Sequence, residues 1–168
     1  MRRTALAALA LLAGCGSRTA PVQEVRRQTF EGLTLSQSAG GRPVWNLKSA
    51  SALLREEART ADLDAPVMDF FRDGKAVSRV TARGGEVQTD THDVKLSTSV
   101  VLDSFEDHSR LTTEVLFYSS KRGKFYTEAP VVIRRPEGVV HGEGMEATPD
   151  LTEIRIFRQR STLTGKAP

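Results

Sequence analysis

The side chains that most often perform catalysis or bind metals are present in this sequence, but they are scattered along it. The three histidines, His92, His108 and His141, lack the spacing of a metal site, and no H-E-x-x-H or G-x-S-x-G motif occurs. His108 follows Asp107, and a solvated turn explains that pair better than catalysis does. Carboxylate pairs that converge only in three dimensions remain open. The sequence therefore predicts a protein that is not an enzyme and that needs neither a cofactor nor a metal.

The single cysteine, Cys15, lies where a specific chemistry is indicated. A lone cysteine excludes an internal disulfide and a thiolate metal cluster. Arg2 and Arg3 precede an apolar stretch of about ten residues, too short to span a bilayer as a helix, which ends in Leu-Ala-Gly-Cys. This arrangement resembles a bacterial lipoprotein signal, in which cleavage precedes the cysteine and the thiol is acylated. The alternatives are an ordinary cleaved leader and a short uncleaved anchor.

The expected domain organisation follows from that signal. Residues 1–14 form the signal peptide, and residues 15–28 form the lipidated cysteine with a polar tether. Residues 29–164 form one domain, and residues 165–168 form a short tail. Several acyl chains on the cysteine would hold the domain stably at the periplasmic face of a membrane. The inner membrane is favoured, and the outer membrane stays open because Gly16 is not the aspartate of a retention signal.

The composition describes a folded domain and gives no electrostatic case for nucleic-acid binding. Hydrophobic residues make up 39% of the chain and charged residues 27%, as in soluble globular domains. The formal net charge is +3, and two of the cations, Arg2 and Arg3, lie in the leader.

Hydrophobic periodicity predicts strands through the whole domain. Residues 111–133 carry two runs rich in β-branched and aromatic residues around a polar break with Gly123, which is a hairpin pattern. Asp73-Gly74 is the strongest short turn signal, and residues 93–102 alternate most regularly. Only residues 50–60 fit a helix as well as a strand, and their context favours a strand. About a dozen antiparallel strands joined by tight turns predict an all-β fold that curls into a roll, a sandwich or an open barrel.

The basic clusters of the domain have two interpretations. They are Arg26-Arg27, Lys121-Arg122, Arg134-Arg135 and the set Arg155, Arg158 and Arg160. Charged residues on turns and edge strands prevent edge-to-edge aggregation, which explains any single cluster. Alternatively, some of them face the anionic phosphates of a lipid headgroup, and the C-terminal set is the best candidate for that role.

Several short segments, taken in order, resemble the LptC family of lipopolysaccharide-export proteins over roughly residues 29–163. They are Trp45-Asn46-Leu47, residues 66–71 (PVMDFF), residues 80–82 (VTA), residues 93–96 (DVKL), residues 111–118 (LTTEVLFY), residues 126–131 (YTEAPV) and residues 142–145 (GEGM). The resemblance implies a single twisted antiparallel β-jelly-roll or boat-shaped open roll with an apolar interior groove. It also implies a non-enzymatic lipopolysaccharide-binding protein whose groove shelters the lipid A acyl chains. The best-known members are anchored by a transmembrane helix, whereas this chain carries a lipoprotein-like signal.

The resemblance also implies partners. They are lipopolysaccharide itself, an inner-membrane ABC transporter of the LptB/LptF/LptG type, and an LptA-like periplasmic bridge protein docked through a terminal edge strand. The alternative is a β-rich structural or assembly lipoprotein of the envelope, with a solid core and no lipid conduit.

The resemblance and the alternation together nominate lipid-contacting residues. Local alignment places Gly32, Leu63 and residues 151–156 in regions that line the family's groove. Alternation adds the following side chains: Leu35, Trp45, Leu47, Val67, Val80, Leu96, Val100, Val132, Met145, Ile154 and Ile156. A parity error or a bulge would turn the residues of a strand to the opposite face.

Overall fold

The computed structural model describes residues 27–163 of the chain. The expected signal peptide, Cys15, residues 16–26 of the tether and residues 164–168 lie outside the described residues. Every element in the described range is a β-strand, so the all-β prediction is confirmed. No helix in that range is long and apolar enough to cross a membrane.

Short turns connect the strands. Their bounds are β1 Arg27–Ala39, β2 Arg42–Arg55, β3 Thr60–Asp64, β4 Val67–Arg72, β5 Lys75–Thr81, β6 Gly84–Gln88, β7 Val94–Ser104, β8 Arg110–Ser119, β9 Lys124–Arg135, β10 Gly138–Ala147, β11 Ile154–Ile156 and β12 Arg160–Leu163. The ambiguous segment of residues 50–60 is extended through Arg55, turns, and enters β3 at Thr60.

The twelve strands form one antiparallel sheet. The hydrogen-bonded path runs β11-β10-β9-β8-β7-β5-β4-β2-β3-β6, and β6 also pairs with β7. Strand β2 pairs with β1 along one side and with β3 and β4 along the other. Strand β10 pairs with β9 on one side and with β11 and β12 on the other. Among the described strands, β1 and the β11–β12 pair are therefore the two edges of the sheet, and we call them the seam edges.

A line of backbone irregularities crosses the sheet, and we call it the crease. It passes through Gly32 in β1, Ala65 between β3 and β4, Thr98 and Ser99 in β7, and Gly144 in β10, all of which have positive φ. The β7–β8, β8–β9 and β9–β10 registers shift at the same level. Positive φ in a threonine is uncommon because its branched Cβ crowds the backbone. The crease therefore divides most of the long strands into two segments.

The crease changes which residues of a strand face inward. In β2 every second residue is buried from Trp45 through Leu47 to Ser49. The next buried residue is Ala52 instead of residue 51, so the alternation shifts by one. In β8, Thr113 and Leu116 are both buried with two residues between them, which is the same shift. A one-residue slip moves every later side chain to the other face of a strand. A single alternation extrapolated along a whole strand therefore fails at the crease.

The inner face of the sheet is the hydrophobic core. Leu47, Met68, Val80, Leu102 and Leu111 form one row across neighbouring strands, and each is 0% exposed. Complete burial of a leucine side chain is worth about 1.5–3 kcal/mol. This row is therefore a main source of the stability of the roll.

The outer face of the same strands carries charges. Asp69, Arg79, Asp103 and Arg110 lie directly opposite one another on successive strands and alternate in sign. Arg79 pairs with Asp69 at 2.6 Å, and Arg110 pairs with Asp103 at 2.5 Å. Opposite charges on facing strands favour this register. The sheet is therefore dry on one face and wet on the other, which positions the candidate site inside the roll.

Candidate functional site

The inner face contains most of the nominated lipid-contacting residues. Those that are at most 5% exposed are Trp45, Leu47, Leu63, Val80, Leu96, Val100 and Met145. Leu35, Ile154 and Ile156 are partly buried and pack against that core from the seam edges. Gly32 lies in the crease, where its positive φ suits glycine and an added Cβ would meet nothing within 4 Å. The structure thus brings ten of the nominated side chains onto one surface.

Two nominated residues, Val67 and Val132, lie on the other face. Val67 is followed by the fully buried Met68, and Val132 lies between Val131 and Ile133, which are each 1% exposed. Because successive side chains of a strand point to opposite faces, Val67 and Val132 point outward. Val132 lines a shallow outer cleft with residues of β7 and β8.

An aromatic cluster occupies the middle of the inner face. Phe70 makes edge-to-face contacts with Tyr118 and Phe125, with ring centroids 4.9 and 5.1 Å apart. The ring centroids of Trp45 and Tyr118 lie 6.4 Å apart. Burial, together with the charge of Asp93, raises the pKa of Tyr118 to about 12. The cluster is neutral across the physiological range and joins β2 and β4 to β8 and β9.

Phe70, Tyr118 and Phe125 were not among the nominated residues. A signal for Phe70 was present, because Asp69 shares a strand face with Val67 and so marks that face as the wet one. The sequence has no comparable signal for the contact between Trp45 and Tyr118, which depends on how the sheet folds over itself.

A polar contact joins the β1 edge to the β8–β9 turn. Gln37 in β1 accepts hydrogen bonds through Oε1 from Trp45 Nε1 and, at 2.8 Å, from Ser120 Oγ. Ser120 follows β8 and lies 83 residues further along the chain. This contact therefore links the β1 seam edge to the end of β8.

A second polar contact, the Arg72 clasp, joins three turns. Arg72 at the end of β4 forms ion pairs with Glu106 and with Asp150. Burial alone would raise the pKa of Asp150, but hydrogen bonds from Thr148 and Thr152, together with the charge of Arg72, hold that pKa below its usual value. The clasp therefore links the β4–β5 turn to the loop that leads into the β11 edge.

The seam edges are the exposed border of the inner face. Phe30 in β1 is 43% exposed, and Phe157, directly after β11, is 48% exposed. Phe157 packs over Gly144 of the crease, and its amide N donates to the Gly144 carbonyl at 3.0 Å. Each seam edge thus presents an exposed aromatic side chain beside backbone groups that are paired on one side only within the described residues.

Three of the basic clusters lie on the surface, namely Lys121-Arg122, Arg134-Arg135 and the set Arg155, Arg158 and Arg160, whereas Arg26 of the fourth lies outside the described residues. The guanidinium carbon of Arg122 lies 4.6 Å from the ring centroid of Tyr126, and Arg122 Nη1 lies 3.5 Å from Glu146 Oε2. Arg158 pairs with Glu143 at 3.2 Å. Half-exposed pairs of this kind contribute little to stability, about 0–1 kcal/mol. They are compatible with both interpretations of the basic residues.

The described residues contain no group of three or more His, Cys, Asp and Glu side chains that could hold a metal ion. His92, His108 and His141 are all exposed. Most of the buried side chains of the inner face are apolar, so this surface is suited to the burial of apolar groups.

Comparison with known proteins agrees with this architecture. A search of curated proteins found no match to this chain. The family model described as "Lipopolysaccharide-assembly, LptC-related" matches residues 22–164, which include all the described strands. The chain therefore belongs to the LptC-related family of lipopolysaccharide-assembly proteins.

Proposed function

We propose that this chain binds lipopolysaccharide without catalysing a reaction, receiving its acyl chains from an inner-membrane ABC transporter and passing them to the next periplasmic β-module. The observation that carries the proposal is the rolled sheet: one face is dry, and its two edge strands are paired on one side only within the described residues. Each CH₂ group kept from water contributes about 0.8 kcal/mol. An inner face of this kind can therefore hold an acyl chain with no bond made or broken.

Entry along the seam edges fits the distribution of burial. Leu33, Leu35, Ile154 and Ile156 are the inward side chains of these edges, and all four are only partly buried. An acyl chain arriving there would meet apolar side chains before it reached the central row. The partly exposed edges are thus the part of the inner face that gains most from a lipid.

Opening the roll requires the loss of few strong contacts. Two polar contacts described above join distant parts of the sheet: the Gln37–Ser120 hydrogen bond and the Arg72 clasp. The side chain of Arg72 is about half exposed. Exposed ion pairs contribute about 0–1 kcal/mol each. When the roll opens, apolar contacts between its inward side chains are lost, and apolar contacts with the bound acyl chain would replace them.

The partners that we propose are lipopolysaccharide, an LptB/LptF/LptG-type transporter and an LptA-like bridge protein. An edge strand offers unpaired backbone groups to a neighbouring β-module, and β12 is the candidate for the outgoing contact. Acylation at Cys15 would place the domain within reach of the transporter, because an extended chain spans about 3.3–3.6 Å per residue. We place the anchor in the inner membrane for that reason.

A second function has an observation in its favour. The inner face is filled by its own side chains, and Leu96, Val100 and Leu116 are each 0% exposed. A solid core of this kind suits a structural or assembly lipoprotein of the envelope. The two functions differ in whether the filled core separates to admit a lipid.

Fluorescence of the chain's single tryptophan, Trp45, tests the choice. Trp45 is 1% exposed and contacts both the aromatic cluster and the β1 edge. If lipopolysaccharide enters the roll, titration shifts the Trp45 emission with saturation, and a micellar detergent at the same concentration does not. Unchanged emission in a folded protein would favour the structural lipoprotein.

A further inference from the structure

Ser78 presents a hydroxyl to the core without a hydrogen-bond partner. Ser78 is 0% exposed, and its Oγ has no hydrogen-bond partner among the described residues. Asn46 Oδ1 is the other such atom in that range, and Asn46 alternates with the buried Trp45 and Leu47, so it faces outward. Buried hydroxyl groups are nearly always paired in folded proteins. The Ser78 hydroxyl is therefore an unused donor on the inner face.

Ser78 faces inward by ordinary alternation with Val80, and a bulge directly before it in β5 buries Val77 as well. Phe70 of β4 lies opposite Ser78, and Phe71 lies opposite Ala76, so Val77 is an extra residue in β5. Val77 and Ser78 are both buried, at 6% and 0% exposure. Bulges redirect side chains, and they occur often beside functional sites. Without the extra residue, Val77 and Ser78 would point to opposite faces.

The surroundings of Ser78 are otherwise apolar or already paired. Its neighbour across β7 is Ser104, whose Oγ donates to the Asp150 carbonyl at 3.0 Å. Its neighbour across β4 is Phe70 of the aromatic cluster. Ser49, another buried serine, lies 2.6 Å from the Ser51 carbonyl and 2.7 Å from the Asp64 carbonyl. Of these three serines, only Ser78 keeps its donor free.

We infer that Ser78 is a hydrogen-bonding subsite for an oxygen carried by the acyl region of the bound lipid. That oxygen is either a hydroxyl on the chain or the carbonyl of the linkage that joins the chain to its headgroup. The inference rests on the proposed function, because it needs the acyl region to enter the roll. The subsite distinguishes an acyl chain with a nearby polar oxygen from a plain hydrocarbon chain, since only the former supplies the missing partner.

The test compares wild-type protein with Ser78→Ala and Ser49→Ala in two measurements. Thermal unfolding reports whether the serine has a partner inside the protein, and titration with lipopolysaccharide, followed by Trp45 emission, reports affinity. We expect Ser78→Ala to melt at or above the wild-type temperature and to bind about two- to tenfold more weakly. Ser49→Ala should melt at a lower temperature, because it loses a satisfied hydrogen bond.

Two results would overturn the subsite. One is equal lipopolysaccharide affinity in wild-type protein and Ser78→Ala, and the other is a loss of thermal stability in Ser78→Ala like that of Ser49→Ala. Failure of lipopolysaccharide to bind the wild-type protein at all is a different outcome, because it removes the proposed function and the subsite with it.

A matched pair of probes identifies the source of the oxygen. Tetradecanoate and 3-hydroxytetradecanoate differ by one hydroxyl and are compared on the same two variants. If wild-type protein prefers the hydroxylated probe and Ser78→Ala does not, the partner is a chain hydroxyl. If the probes behave alike while Ser78→Ala still weakens lipopolysaccharide binding, the partner is the linkage carbonyl.

Discussion

We call the strands that have a hydrogen-bonded neighbour on both sides the wall of the roll. The wall and the seam edges contain the same residue types, but their side chains are buried to different extents. Leu47 in the wall is 0% exposed, whereas Leu35, its direct cross-strand neighbour in β1, is only partly buried. The wall has a hydrogen-bonded strand on both sides, and each edge has one on a single side. A leucine in the wall therefore contributes mainly to stability. A leucine at a seam edge keeps exposed surface that can contact a ligand.

The largest effect is expected from a charge in the wall. Val100 is 0% exposed on the inner face, and Val101 is partly buried on the outer face. Val100→Arg buries an unpaired charge, and we expect it to cost more than about 4 kcal/mol and to unfold the domain at ambient temperature. Circular dichroism during thermal unfolding measures this. Val101→Arg is the control, and a Val100→Arg protein that melts like it would show that the inner face is wet.

The cross-strand pair Leu47 and Leu35 measures the wall against the edge directly. Leu47→Ala should cost about 2–5 kcal/mol, because it leaves a cavity in a fully packed row. Leu35→Ala should cost about 1 kcal/mol, since less area is buried there. Urea unfolding of the two variants gives both values. Equal losses would mean that β1 is as well packed as the wall, and that the seam edge has no apolar surface left for a ligand.

A substitution beside the crease should loosen one edge selectively. A Cβ on Gly142 would overlap Ile156 Cγ2 and would lie 3.3 Å from the Phe157 carbonyl oxygen, so Gly142→Ala must displace Ile156 at the end of β11. We expect a loss of about 1–3 kcal/mol and faster amide hydrogen exchange in β11. At Gly84 the nearest atom is 3.7 Å away, so Gly84→Ala is the matched control. Unchanged exchange in β11 would show that β11 is not held by this contact.

The smallest effect, and one that depends on pH, is expected at the Arg72 clasp. The pKa of Asp150 is held below its ordinary value of 3.8, so the ionised carboxylate stabilises the folded state above that value. The contribution is lost as the pH falls through the folded-state pKa. Asp150→Asn should therefore melt a few degrees, roughly 2–6 °C, below wild type at neutral pH, and the gap should narrow as the pH falls below 3.8.

The control for that prediction is an exposed ion pair. Asp73 pairs with Arg42, and both side chains are at least 75% exposed. Asp73→Asn should change the melting temperature little at any pH, because water screens the pair. A difference between Asp150→Asn and wild type that is independent of pH would contradict the role given to the carboxylate.

The sequence predicted the strands better than the faces of the strands. Turn residues such as Asp73 and Gly74 mark hairpins locally, so the number and order of strands could be derived. Val132 lies between the apolar residues Val131 and Ile133, so alternation alone does not decide which of the three face inward. In β4, by contrast, the polar Asp69 marks the face that it shares with Val67 as the wet one.

The crease was the least predictable feature. In β1 and β10 it falls at Gly32 and Gly144, but glycine also occurs at ordinary turns, so the residue type alone does not reveal a shift. In β7 it falls at Thr98 and Ser99, where nothing in the residue types indicates positive φ. The contact between Gln37 and Ser120 joins residues far apart in the chain and depends on the folded sheet. Such contacts require a three-dimensional structure.

The central claim is that the acyl chains of lipopolysaccharide lie against the inner face. The most direct test is photocrosslinking in cells, with a photoreactive residue at Leu96, Trp45 or Ile156. Lys95 and Arg155, which are exposed neighbours of two of these positions, are the controls. We expect lipopolysaccharide adducts from the inward set and none from the controls. Adducts from neither set, in a protein that is folded and correctly located, would contradict the central claim and favour a structural lipoprotein.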